Sequence, residues 1–196
     1  MYAGKVLEIH QDSGDWVFVD VGFSRESKTS GLLINDGTPL EVTFNDLRSR
    51  LVQLAGEPGR PLNLTLEAPL SAAFSASGNP AGRSIERKGA EHRYWYAGLG
   101  CQVTMAAAYL LRAINDAKCE RQIRLFEAFV SFKVKGSRSS HAGDVAAIRS
   151  VVWDESMHLN NITPPHQLLG PHASTIQSSF LVFGLNLGVP PVITAA

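Results

Sequence analysis

The run at residues 16–22, Trp-Val-Phe-Val-Asp-Val-Gly, constrains this chain more than any other feature. It is apolar at consecutive positions and rich in β-branched and aromatic side chains, which suits a central strand buried on both faces. Asp20 interrupts it. A carboxylate there costs several kcal/mol if left unpaired, so it needs a partner, a metal or exposure at the strand end. A second apolar run at 31–34, the turn residues Asn35, Asp36 and Gly37, and a third run at 40–44 follow directly. Asp-Gly between apolar runs is a hairpin signal, so the chain is expected to open with a three-strand antiparallel meander.

Beyond it, Asn45 is placed to cap a helix over 46–55, with Leu47, Leu51 and Leu54 at helical spacing. Residues 56–61 break the chain, and a strand is expected at 62–68, stopped by Pro69. The segment 71–100 is rich in Gly, Ser and Ala and carries Arg83, Arg87, Lys88 and Arg93. So long an irregular stretch reads as a functional loop or lid, with a short helix near 84–88. A helix is predicted at 102–117, a strand at 123–132, a basic Ser-rich loop at 133–140 and a helix at 143–153. Asp144 lies in the first turn of that helix, where the dipole favours a carboxylate. Residues 154–174 contain Pro164, Pro165 and three histidines without a firm element, and a last strand is expected at 180–187.

The length of 196 residues fits one domain, with its core at about 15–153 and an irregular tail at 154–196. Eighteen basic and 18 acidic residues cancel. Neutrality argues against a tight non-specific nucleic-acid coat, which draws its affinity from counterion release. It leaves room for a nuclease, whose own site is acidic. Cys101 and Cys119 read as reduced, partly buried thiols. Residues 1–10 show no secretory pattern, and no run approaches the ~20 apolar residues of a membrane helix. A cytoplasmic location is expected.

The predicted order β-β-β-α-β-α-β-α implies an α/β fold: a mixed sheet in which an antiparallel meander is followed by parallel strands, with helices on both faces. That order resembles the RNase H-like arrangement. In it the first and fourth strands lie side by side at the sheet centre, so Asp20 and Glu67 meet near one edge. Their carboxylates are expected within about 8 Å of each other, since paired metal ions stand about 4 Å apart. The late helix brings Asp144 beside them. Three clustered carboxylates repel unless a cation neutralises them, and Mg²⁺ or Mn²⁺ takes such oxygen ligands. Taken singly, Asp20 can cap the turn at Gly22 and Asp144 can be a helix-terminus charge.

Val19-Asp20-Val21-Gly22 resembles the first-strand motif of the RNase H-like superfamily. Leu66-Glu67-Ala68-Pro69 resembles the fourth-strand glutamate motif of its Holliday-junction-resolvase branch. His141-Ala-Gly-Asp144 is similar to the His-x-x-Asp pattern opening the last helix there. A closer resemblance is to an uncharacterised group of predicted RNase H-like nucleases, which shares an acidic residue followed by Ala-Pro-Leu. That group also shares a Gly-Arg-x-x-x-Arg segment, here Gly82 to Arg87, and a Glu before a small residue, here Glu127-Ala128. Val145 departs from the usual Ala after the helix aspartate. The resemblance spans roughly 15–153 and implies Asp20, Glu67 and Asp144 as metal ligands, with His141 as an auxiliary base.

Glu127 is either a fourth ligand or a partner of Arg83 or Arg87. Arg83, Arg87 and Arg93 suit bidentate phosphate contacts or a solvated loop, and the lid is expected to present Arg83 or Arg87 to the acidic site. Tyr94, Trp95 and Tyr96 suit base stacking or packing of that lid. His158, His166 and His172 are too widely spaced for a metal signature. The expected activity is metal-dependent phosphodiester hydrolysis of DNA or RNA by a two-metal mechanism, without a membrane partner; a homodimer is compatible with the sequence. A non-catalytic binding module is the alternative. An actin-like phosphotransferase fits less well, because it needs a second domain and glycine-rich phosphate turns.

Overall fold

The apolar run becomes β1 (Asp15–Asp20), with Trp16, Val17, Phe18 and Val19 wholly buried. The structure, a computed structural model, describes residues 1–22, 27–130, 132 and 140–195. After β1 come β2 (Ser30–Ile34), β3 (Leu40–Val42), α1 (Phe44–Gly56), β4 (Leu62–Glu67), α2 (Leu99–Asp116), β5 (Ile123–Val130), α3 (His141–Trp153) and β6 (Val192–Ala195). One mixed sheet carries the strands in the order β6-β5-β4-β1-β2-β3, with the short strand Ile162–Thr163 outside β6 and Tyr2–Ala3 alongside β5. β1, β4, β5 and β6 run parallel, while β1-β2 and β2-β3 are antiparallel.

Helices cover both faces, which explains why β1 is apolar at all four positions between Asp15 and Asp20. Side chains alternate across a strand, so Val17 and Val19 join Leu64, Leu66, Leu125 and the α1 and α2 leucines in one core. Trp16 and Phe18 face the other way, into a core with Phe126, Val145, Ile148 and Val152 of α3. Trp16 and Phe18 stack at 5.5 Å, and Trp153 closes on both edgewise. Each such side chain contributes about 1.5–3 kcal/mol by burial.

Three differences from expectation stand out. Thr43, not Asn45, caps α1: its backbone is extended and its hydroxyl accepts from the Asp46 amide at 3.2 Å, which puts position 45 inside the first turn. The last strand forms at 192–195 rather than 180–187. Phe180 is buried, but the next three residues turn and close on Gly184 at φ 74°. Residues 71–100 are more ordered than their composition suggests. Ser71–Phe74 pairs with Thr175–Ser178 and Pro80–Ala81 in a second small sheet, and Arg87–Lys88 pairs with Glu91–His92. The tail after 153 therefore supplies strands to both larger sheets. Of the expected basic loop at 133–140, residues 133–139 lie outside the described residues. Among the described residues no helix is long and apolar enough to cross a membrane.

Candidate functional site

Asp20 ends β1 and Glu67 ends β4, and the parallel register sets them directly opposite each other. Asp20 shares parity with Trp16 and Phe18, and Glu67 shares parity with Asn63 and Thr65. Both therefore point to the α3 side. On α3, Asp144 falls in phase with the buried Val145, Ile148 and Val151, so the face that packs on the sheet carries the carboxylate at its first turn. Ser140 caps the helix by accepting from the Gly143 amide at 3.1 Å.

One carboxylate oxygen each from Asp20, Glu67 and Asp144 lies within 4.8 Å of the others. That is well inside the separation expected. Asp20 and Asp144 are buried, at 7% and 8% exposure. Mg²⁺–oxygen distances of about 2.1 Å let two ligands of one ion stand at most about 4.2 Å apart. The donor set fits one hard divalent cation after sub-ångström movement.

Asp20 Oδ2 meets His141 Nδ1 at 2.5 Å. The contact uses Nδ1 and leaves Nε2 as the ring nitrogen that Asp20 does not engage. The His141 side chain is 41% exposed, so the ring stays open to water. Burial pushes the Asp20 carboxyl up. The hydrogen bond and charge of His141 pull against this and Asp144 adds to it, leaving Asp20 above the ordinary aspartate range. Glu67 Oε1 accepts from the Val130 amide at 3.3 Å, which ties it to β5.

The structure does not bring Glu127, Arg83 and Arg87 to this cluster. Glu127 has the opposite parity on β5 to Ala128, the neighbour of Glu67, and so faces the other side of the sheet. Both its oxygens accept from Arg83 Nη1, at 2.6 and 2.8 Å, and Oε2 also accepts from the Leu70 amide at 2.9 Å. Of its two readings, Glu127 takes that of an arginine partner. Arg83 is 1% exposed and also donates to Ser71 and Glu86, so it is not offered to a substrate. Burial alone pushes the Arg83 guanidinium down, but the two glutamates outweigh it and hold the charge. Arg87 is exposed, donates to the Gly89 carbonyl and lines a separate groove with Lys88, Phe129 and Phe132.

Sequence reasoning missed Glu86, wholly buried and accepting from Arg83 and from the Trp95 amide. Its spacing of three from Arg83 was the available signal. It also missed a cavity of about 530 Å³ that opens beside Glu67, walled by Arg93, Tyr94, Trp95, Val103 and Phe129. The lid segment therefore does border the acidic cluster, but with aromatic residues rather than with the expected arginines. No family model, curated protein or solved structure matches this chain.

Proposed function

We propose that this chain is a Mg²⁺- or Mn²⁺-dependent nuclease on an RNase H-like sheet, hydrolysing phosphodiester bonds of a nucleic acid by a two-metal mechanism. One observation carries the reading. Three carboxylates from chain positions 20, 67 and 144 converge within 4.8 Å, with His141 bonded to the first of them. Mutual repulsion makes so tight a set costly unless a cation is its purpose. The strand order, a meander joined to parallel strands at its first member, supports the fold assignment.

Asp20, Glu67 and Asp144 would hold the divalent cation, which when bound would neutralise substrate phosphate and lower the pKa of a bound water. Asp20 is the central ligand, because it ends the strand packed on both faces and rigid elements hold sites best. Glu67 and Asp144 flank it from β4 and α3. His141 accepts the proton of the attacking water at Nε2, and Asp20 at Nδ1 orients the ring and stabilises the imidazolium that forms.

Calorimetric titration with Mn²⁺, paired with cleavage of labelled single-stranded, duplex and branched DNA and RNA, tests the reading. Wild type is expected to bind Mn²⁺ and cleave, and Asp20→Asn is expected to lose both while remaining folded. His141→Ala is expected to slow cleavage by ~10²–10⁴-fold while keeping Mn²⁺ affinity, as a general base does. Absence of Mn²⁺ uptake by wild type, or equal cleavage by wild type and Asp20→Asn, rules the nuclease out. Mn²⁺ uptake without cleavage of any substrate favours the binding-module alternative.

A further inference from the structure

The cavity beside Glu67 is built differently from the acidic cluster it adjoins. Its walls are Tyr94, Trp95, Phe129 and Val103, with Arg93 at the rim and Glu67 where it meets the cluster. At about 530 Å³ it is the size of a small-molecule pocket. The aromatic side chains are held in place before any ligand arrives. Trp95 donates from its indole to the Ala81 carbonyl at 3.0 Å, and its amide donates to buried Glu86 at 2.8 Å. Tyr94 stands between His92 and Tyr96 in a column of nearly parallel rings, with centroids 4.8 and 5.3 Å apart. The chain makes room for that column at Gly82, where a Cβ would lie 2.4 Å from the Tyr94 ring. His92 is exposed, so the column ends at the surface.

We propose that this cavity holds an unpaired nucleobase next to the scissile phosphate, which makes single-stranded nucleic acid the substrate; the inference rests on the metal-site reading above. Fixed aromatic faces beside a cation are the means by which proteins hold unpaired bases, since every base offers a π-face. A base inside a regular duplex has both faces covered by its neighbours and cannot enter. Position supplies the link to chemistry: Glu67 belongs to both the cavity and the acidic cluster, so a phosphate at the cluster carries its nucleoside to the aromatic wall.

Binding is measured with EDTA present, so that cleavage plays no part, by fluorescence anisotropy of a labelled oligothymidylate alone and annealed to its complement. The single strand is expected to bind at least tenfold more tightly than the duplex. It is also expected to quench tryptophan emission, and Trp95→Phe is expected to remove that quenching, because Trp16 and Trp153 are packed together in the α3-side core. Tyr94→Leu removes the middle ring of the column that backs the cavity wall and is expected to weaken single-strand binding about tenfold. Arg93→Gln, a change at an exposed side chain, is expected to weaken it as well, and it keeps the test valid should the Tyr94 variant fail to fold. Equal affinity for single strand and duplex overturns the inference, as does unchanged single-strand affinity in both Arg93→Gln and a folded Tyr94→Leu. Mn²⁺ titration of the same proteins separates the two readings. Base-dependent binding without Mn²⁺ uptake retires the nuclease and keeps the base site, while Mn²⁺ uptake lost in Asp20→Asn but no selectivity for single strands retires the base site alone.

Discussion

Asp20 is the residue on which the proposed metal site turns, and its protonation bears on stability. Burial and the nearby Asp144 charge hold its carboxyl above the ordinary aspartate range, against the pull of His141. The folded protein therefore binds this proton more tightly than the unfolded chain does. The group's contribution is fullest in acid and is lost as pH rises from the unfolded aspartate value through the raised folded one. Asp20→Asn removes that loss while keeping an oxygen that accepts from His141 Nδ1. In metal-free protein, the melting temperature of wild type relative to Asp20→Asn is expected to fall as pH rises through that window. Saturating Mn²⁺ is expected to raise wild type and leave the variant unmoved. A difference independent of pH in thermal melts would show that Asp20 carries no such strain.

At the scale of elements, α3 decides whether three carboxylates make a site. It lies across β1 and β2, and its first turn carries both His141 and Asp144. Gly31 of β2 is what lets it approach: a Cβ there would stand 2.3 Å from the His141 carbonyl and 3.1 Å from a Val145 methyl. Gly31→Ala is expected to push the start of α3 outward, at a cost of about 1–3 kcal/mol from overpacking. Because His141 and Asp144 move with it, Mn²⁺ affinity should drop even though no ligand is changed. Urea unfolding with Mn²⁺ titration checks this, and a variant of wild-type stability and affinity sinks the idea. The strands β1, β2, β4 and β5 and the helix α3 were legible in the sequence, because apolar runs are a local property. The approach of α3 to Gly31 was not, since nothing local distinguishes a glycine that faces a helix from one that ends a turn.

Across the whole molecule, the buried Arg83–Glu86–Glu127 group ties the lid to the sheet on the face opposite α3. It joins Ser71 of the small sheet, the turn at Ser84–Glu86 and the centre of β5, and through Glu86 it anchors Trp95. Burial pushes the Glu127 carboxyl up, and Arg83 works against it. Arg83→Met leaves two carboxylates without their cation and is expected to cost about 3–5 kcal/mol in urea unfolding, the usual penalty for breaking a buried pair. A loss below about 1 kcal/mol, the scale of an exposed pair, would mean that the network is not what holds the lid.

What the sequence determined by itself was local: the buried strand with Asp20 in it, the Asp-Gly turn, the helices at 102–117 and 143–153, and three carboxylates on elements able to meet. Tertiary structure alone decided the rest. Parity on β5 sent Glu127 away from Asp20, since one residue of register moves a side chain to the other face of a sheet. Arg83 could not be told from a solvated loop arginine until Glu127, 44 positions away, was seen to hold it. Val192–Ala195 is a strand because β5 offers it a parallel partner from residues 127–130, and a four-residue apolar run carries no such information alone. Short apolar runs and single charges take their meaning from partners distant in the chain, and only folding supplies those partners.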